Sequence, residues 1–320
     1  MKGSVEQTHK WITTRRDTYR ARLVRDIRLH RYVYMMLVPV VLYYAIFHYA
    51  PMLGLQIAFK NYSPMTGIAK SEWIGLAHFY DFFSSFYFWR LLKNTLLLSS
   101  YDLVFGFTAP IILALLLNEL RSIAFKRIVQ TITYLPYFVS LVVIAGLIVD
   151  FLARDGLINN VLGNLFGMEN RAYLLEASSF RTIFISSGIW QTVGWGSIIY
   201  LAAMSAIDPS LYEAAKVDGA NRWKQVWHIT LPGIMPTIII LLILQIGNLM
   251  ATNTEKILLL YNTSTYETAD VIGTYVYRKG LLQASFSYSA AIGMFNSVIN
   301  FALLIAANSA SKRLSGTKLW

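Results

Sequence analysis

Apolar residues along the chain gather into six runs, Tyr32–Ala50, Asn94–Leu117, Ile132–Leu152, Thr182–Ala206, Gly233–Ala251 and Ser287–Ala307. Each is close to the roughly 20 residues that carry a helix across a bilayer. They are too long and too evenly apolar for the strands of a barrel, so the pattern predicts an all-α membrane protein of six transmembrane helices. The segments between the runs hold the charges and most of the turn-forming residues. The expected organisation is a basic segment at 1–31, a six-helix membrane domain at 32–307 with a polar loop at 207–232, and a tail at 308–320.

Composition agrees, since 56% of residues are hydrophobic and 14% charged, against about 25% charged in soluble domains. There is no cysteine, which removes disulfides, thiolate metal sites and cysteine catalysis. The net charge of +11 is uneven, with nine Lys and Arg in the first 31 residues. Beside a span, such a segment marks the cytoplasmic side. No folded module accompanies it that would read nucleic acid, so no nucleic-acid partner is expected. It is also too long for the n-region of a signal peptide, and the first span is expected to remain as an anchor. With both termini inside, the internal segments carry eighteen of the 28 Lys and Arg, the bias expected of an N-in, C-in protein.

Two external segments have unusual composition. "FYDFFSSFYFWRLL" (Phe79–Leu92) is rich in rings, which suit either the headgroup level or stacking on sugars. "RDGLINNVLGNLFGMENR" (Arg154–Arg171) reads as an external turn with short helical pieces.

The 207–232 loop has its own local logic. Asp208 is placed to cap a short helix, with Pro209 at its first position, where a missing N–H costs nothing. Leu211, Ala214 and Ala215 share a face, and Asp218-Gly219 ends the helix. Asn221 is placed to cap a second helix through Trp223, Val226 and Trp227, and Leu231-Pro232 then leads into the fifth span. A compact helix–turn–helix results, either a hairpin tying two spans together or a small-faced helix that lies in a groove on another protein.

The loop resembles the EAA motif of permease subunits of binding-protein-dependent ABC importers. Glu213, Ala214, Ala215, Gly219, Ile229, Leu231 and Pro232 stand at the motif's spacing. "YAPMLGLQIAFKNY" (Tyr49–Tyr62), "SEWIGLAHF" (Ser71–Phe79), "YETADVIGTYVYRKGL" (Tyr266–Leu281) and the terminal "LSGTKLW" are similar to permeases for oligo- and polysaccharides. The resemblance implies half of a channel in the cytoplasmic (inner) membrane of a prokaryote. It also implies partners: a second homologous permease, an ABC ATPase dimer that binds ATP and Mg, and an extracytoplasmic solute-binding protein that delivers an oligo- or polysaccharide. Glu213, Ala214, Ala215, Asp218, Gly219, Leu231 and Pro232 would couple to the ATPase. One departure is Asn253-Thr254-Glu255, where related sequences tend to carry Gly-Phe-acidic.

No G-x-x-x-x-G-K-[ST], no G-x-S-x-G and no cluster with metal-ligand spacing occurs in the sequence. The chain is therefore expected to have no catalytic residue, no metal and no cofactor of its own. Polar residues within or beside the spans are candidates for a substrate path: Gln191, Trp195, Gln245, Asn248, Asn253, Glu255, Asn296 and Asn300. Amides exchange hydrogen bonds with hydroxyls and rings stack on pyranoses, but each residue could equally bond a neighbouring helix. A self-sufficient secondary transporter and a membrane scaffold are the alternative classes. The sequence does not distinguish a neutral from an anionic sugar.

Overall fold

The computed structural model describes residues 24–316, apart from the side chains of residues 314 and 315. Most of the basic segment at 1–31, and the last four residues of the tail, lie outside the described residues. The chain divides into two units after Gln56. The first carries most of helix α1 (Arg31–Phe59), which tolerates Pro39 and widens by a π turn over Ala45–Tyr49. Its side chains from 31 to 52 are exposed, and their apolar character all round suits a membrane-embedded helix.

The second unit is built on helices with a short antiparallel ribbon, Lys60–Asn61 with Glu72–Trp73. In chain order come α2 (Phe88–Glu119), α3 (Ile123–Phe138), α4 (Leu141–Leu152), α5 (Ala177–Ser205), α6 (Pro209–Val217), α7 (Arg222–Gly247), α8 (Thr254–Leu260), α9 (Ile272–Tyr277) and α10 (Phe286–Ser315).

Among the described residues, four helices are long and apolar enough to cross a membrane: α1, α2, α7 and α10, the last counted to Arg313. The third apolar run is not one straight helix. It breaks between α3 and α4, and the two helical stretches Ile123–Phe138 and Leu141–Phe166 meet at 104°. The cause is local: Pro136 cannot donate to the helical ladder, and Ser140 caps α4 by accepting from the N–H of Val143. Counted together this bent pair makes a fifth candidate span. The fourth run falls on α5, 29 residues long, whose Gly, Ser, Thr and Gln content leaves it less apolar than the other four. Two edges also differ from expectation. α2 begins at Phe88 and absorbs the end of the aromatic segment, and α7 begins at Arg222, inside the loop.

Three apolar clusters hold the helices. Leu98 of α2, Ile144 and Ile148 of α4, Phe180 and Phe184 of α5, and Ile257 of α8 form one. Phe82, Leu91, Met250, Ile272, Tyr275 and Ile292 form another, from the short helix Ala77–Phe83, α2, the segment after α7, α9 and α10. Ile111 and Ala114 of α2, Tyr200 and Met204 of α5 and Ile234 of α7 form the third. The glycines of α5 are packing positions: a Cβ on Gly196 would lie 3.0 Å from the Pro110 ring, and Gly194 sits against the Thr133 backbone. Small residues of this kind let membrane helices approach closely.

A buried ionic knot ties the 266–278 segment to these helices. The Asp270 carboxylate, fully buried, accepts from Arg278 at 2.7 and 3.1 Å, from Arg90 at 3.3 Å and from the Thr274 hydroxyl at 2.7 Å. Asn94 donates to the Glu267 and Asp270 carbonyls and accepts from Arg181 at 2.9 Å.

Candidate functional site

The loop after α5 folds by local signals. The Asp208 carboxylate accepts from the Ser210 N–H at 2.9 Å, which holds its pKa below the usual carboxylate range. Pro209 follows at the first helical position. The C-terminus of α6 closes as a Schellman turn: the N–H of Ala220 reaches the Ala215 carbonyl at 2.8 Å, and that of Gly219 reaches Lys216 at 3.1 Å. Gly219 sits at φ +76°, the left-handed conformation this closure needs. α6 has no buried residue, and Val217 is 88% exposed.

The loop is hooked to the helices on both sides. The Tyr212 and Thr230 hydroxyls bond at 3.0 Å, and Arg222 donates to the Glu119 carbonyl at 3.3 Å, at the end of α2. Asn221 caps the next helix through the Lys224 N–H. That helix does not end within the loop. It widens into a π turn over Val226–Thr230 and continues as α7 to Gly247. The wider turn precedes Pro232, the residue that has no N–H to give.

The far end of α7 reaches a polar cavity. This cavity, about 290 Å³, is lined by Leu98, Ser99 and Asp102 of α2, by Phe184, Gly188, Gln191 and Thr192 of α5, by Gln245 and Asn248, and by Leu249, Ala251, Thr252 and Asn253 with Lys256 of α8. A second cavity shares Asp102, Thr192, Gln245 and Asn248 and extends the polar surface to Phe107, Gly196 and Tyr200. Two charged groups face the first cavity, Asp102 and Lys256. Asp102 opens a π turn (Asp102–Gly106), and its carboxylate lies where a Cβ on Gly106 would be. It accepts from the Gln245 amide at 3.1 Å. The Lys256 ammonium donates to the Phe184 carbonyl at 3.0 Å and lies 3.3 Å from the place of a Cβ on Gly188. Each charge thus occupies room that a glycine leaves.

The structure brings together four of the eight path candidates: Gln191, Gln245, Asn248 and Asn253 line the first cavity. The other four are elsewhere. Trp195 stacks on Tyr137 with ring centroids 4.5 Å apart. Glu255 is exposed in the first turn of α8. Asn296 donates to the Met250 carbonyl, and Asn300 accepts from the Met250 N–H at 2.8 Å. Lys256 is absent from the sequence-based candidates, because its burial is visible only in the folded chain. Among the described residues no group of His, Asp or Glu is arranged to hold a metal.

Residues 106–316 match the family "Binding-protein-dependent transport system inner membrane component". The chain belongs to that family: it is the permease component of an ABC transporter, a membrane-spanning part that is not itself catalytic. Among its relatives is protein LplB of Bacillus subtilis (strain 168), 45% identical over 297 residues and covering 92% of both chains. The polygalacturonan/rhamnogalacturonan transport system permease protein YteP of the same organism is 46% identical over 294 residues, again covering 92% of each. A solved bacterial ABC transporter involved in the import of the acidic polysaccharide alginate contains a chain that superposes with a TM-score of 0.86. That chain is 46% identical, and the match covers 92% of this protein and 99% of the neighbour.

Proposed function

We propose that this chain is one of two permease subunits of an ATP-driven importer of oligo- or polysaccharides in the inner membrane of a bacterium. The observation that carries the reading is the continuity of α7. Its 26 residues begin at Arg222 in the loop and end beside Gln245 and Asn248 at the cavity, so one rod of about 39 Å joins the two places. A push on the loop is therefore felt at the polar cavity.

In this reading α6 docks in a groove of an ATPase dimer that binds ATP and Mg. Glu213, Ala214, Ala215 and Asp218 meet the ATPase, Gly219 sets the exit angle, and Leu231 and Pro232 pass the motion into α7. The exposure of α6, its two caps and its hooks to α2 and α7 support this assignment. Gln191, Gln245, Asn248 and Asn253 line the path. α5 crosses the membrane as a further span with its polar face on that path, which brings the total to six with the bent pair. Both termini are cytoplasmic, with the basic segment at 1–31, the membrane domain at 32–307 and the tail at 308–320. A second permease completes the channel, and an external solute-binding protein delivers the sugar. Support for that last partner comes from the alginate transporter, also solved in complex with an alginate pentasaccharide-bound periplasmic protein.

The test is reconstitution in liposomes with the partner permease, the ATPase and sugar-loaded binding protein. ATP-dependent uptake that needs all four is expected. Uptake by this chain alone on an ion gradient would instead make it a secondary transporter.

A further inference from the structure

Lys256 is 2% exposed, yet the only acceptor bonded to its ammonium is the neutral Phe184 carbonyl. A buried ammonium is costly without a counter-charge. The Phe184 ring lies 5.0 Å from the ammonium, and Asp102 lines the same cavity and attracts it from a distance; among the described residues no carboxylate comes within 4.0 Å of it, and the Asp102 carboxylate is engaged by Gln245. The ammonium has three protons to give and is left with unused donor capacity beside an open polar space.

Two further groups in that space are unsatisfied. The hydroxyls of Ser99 and Thr252 are buried and have no hydrogen-bond partner, and both residues line the cavity. Buried polar groups without partners are uncommon, and each calls for an explanation. A neutral sugar would answer the hydroxyls and amides and could accept from the ammonium, but it would bring no counter-charge. A sugar acid answers both.

We propose that this cavity recognises the carboxylate of a uronate residue, with Lys256 as its counter-ion, while Asp102, Gln245, Asn248 and the free hydroxyls take the ring hydroxyls. The inference rests on the importer reading and narrows its substrate to acidic oligosaccharides. Gly188 belongs to the design, since its missing side chain leaves the ammonium room at the cavity wall.

The purified permease–ATPase complex, without the binding protein, provides the assay. Its affinity is measured for tetramers of galacturonate, mannuronate and glucuronate, each against its methyl ester. At least one free acid is expected to bind ten times or more tighter than its ester. Lys256→Met should erase that preference and Lys256→Arg should keep most of it, in complexes that assemble to the wild-type extent. The comparison of acid with ester in the unaltered complex stands even if a variant fails to assemble. Equal binding of acid and ester, or no binding of any acid, overturns the site, and the importer reading survives if a sugar-loaded binding protein still stimulates ATP hydrolysis. If no loaded binding protein stimulates hydrolysis or uptake, the importer reading itself falls.

Discussion

Replacing Gly219 tests the loop where its geometry is most demanding. Its φ of +76° lies in the left-handed region, and a Cβ built there meets nothing within 4 Å. The penalty of a side chain is therefore one of backbone conformation, with no clash to relieve. For a β-branched residue that penalty is on the order of 1–2 kcal/mol, enough to shift the population of the closed turn about 5- to 30-fold. Asparagine tolerates the left-handed region, and alanine stands between the two. The turn carries the two bonds from Ala220 and Gly219 back into α6, so losing it changes where the exposed helix points. The assay is ATP hydrolysis stimulated by sugar-loaded binding protein, normalised to assembled complex. Stimulation should fall in the order glycine, asparagine, alanine, valine, with Gly219→Val losing most of it, while sugar binding by the external protein is unchanged. A fully assembled Gly219→Val complex with wild-type stimulation refutes the coupling role of the loop.

Other outcomes follow from the same geometry. Asp208→Ala should weaken coupling and Asp208→Asn should preserve it, because asparagine caps as well as aspartate. Because the folded pKa of Asp208 is lowered, its charged cap is fully present above the ordinary value of about 3.9. It is lost only as pH falls through the lower folded value, so stimulated hydrolysis near neutral pH should show no titration from this group. Asp270→Asn leaves Arg90 and Arg278 without their counter-charge and should cost about 3–5 kcal/mol, read as a lower melting temperature of the purified complex; an unchanged melting temperature refutes it. Single cysteines at Met65, which is 97% exposed, and at Ser210 in the loop should label from opposite sides of the membrane. Labelling of both by an impermeant reagent on intact cells overturns the orientation.

Where structure is set by neighbours in sequence, the chain is readable without coordinates. The caps of α6 are an example, since Asp208, Pro209 and Gly219 each act within three residues of their position. Apolar runs of bilayer length give the membrane class for the same reason. The bend between α3 and α4 is harder, because Pro136 and Ser140 lie inside one run of even hydropathy. The continuity of α7 is missed for the opposite reason. Asn221 and Pro232 both carry signals that a helix begins, and the π turn between them joins two apparent starts into one rod.

The polar residues of the spans divide by what they bond to, and this division explains both the cavity and its partial legibility. The chain between α7 and α8 is irregular, and its backbone needs partners inside an apolar surround. Asn300 and Asn296 supply them, taking the N–H and the carbonyl of Met250. Sequence alone gives these two amides the same standing as Gln245 and Asn248, since all four sit in or at the ends of apolar helices. Only the fold tells an amide that holds a backbone from one that faces an opening. With Met250 pinned into the cluster around Ile272 and Ile292, Asn248, Thr252 and Asn253 are presented to the cavity, and Lys256 follows one turn later with its ammonium at the wall. A satisfied backbone on one side of this segment thus turns its polar side chains to the cavity on the other, where Asn248 also donates to the Leu244 carbonyl and Asn253 caps α8 through the Lys256 N–H.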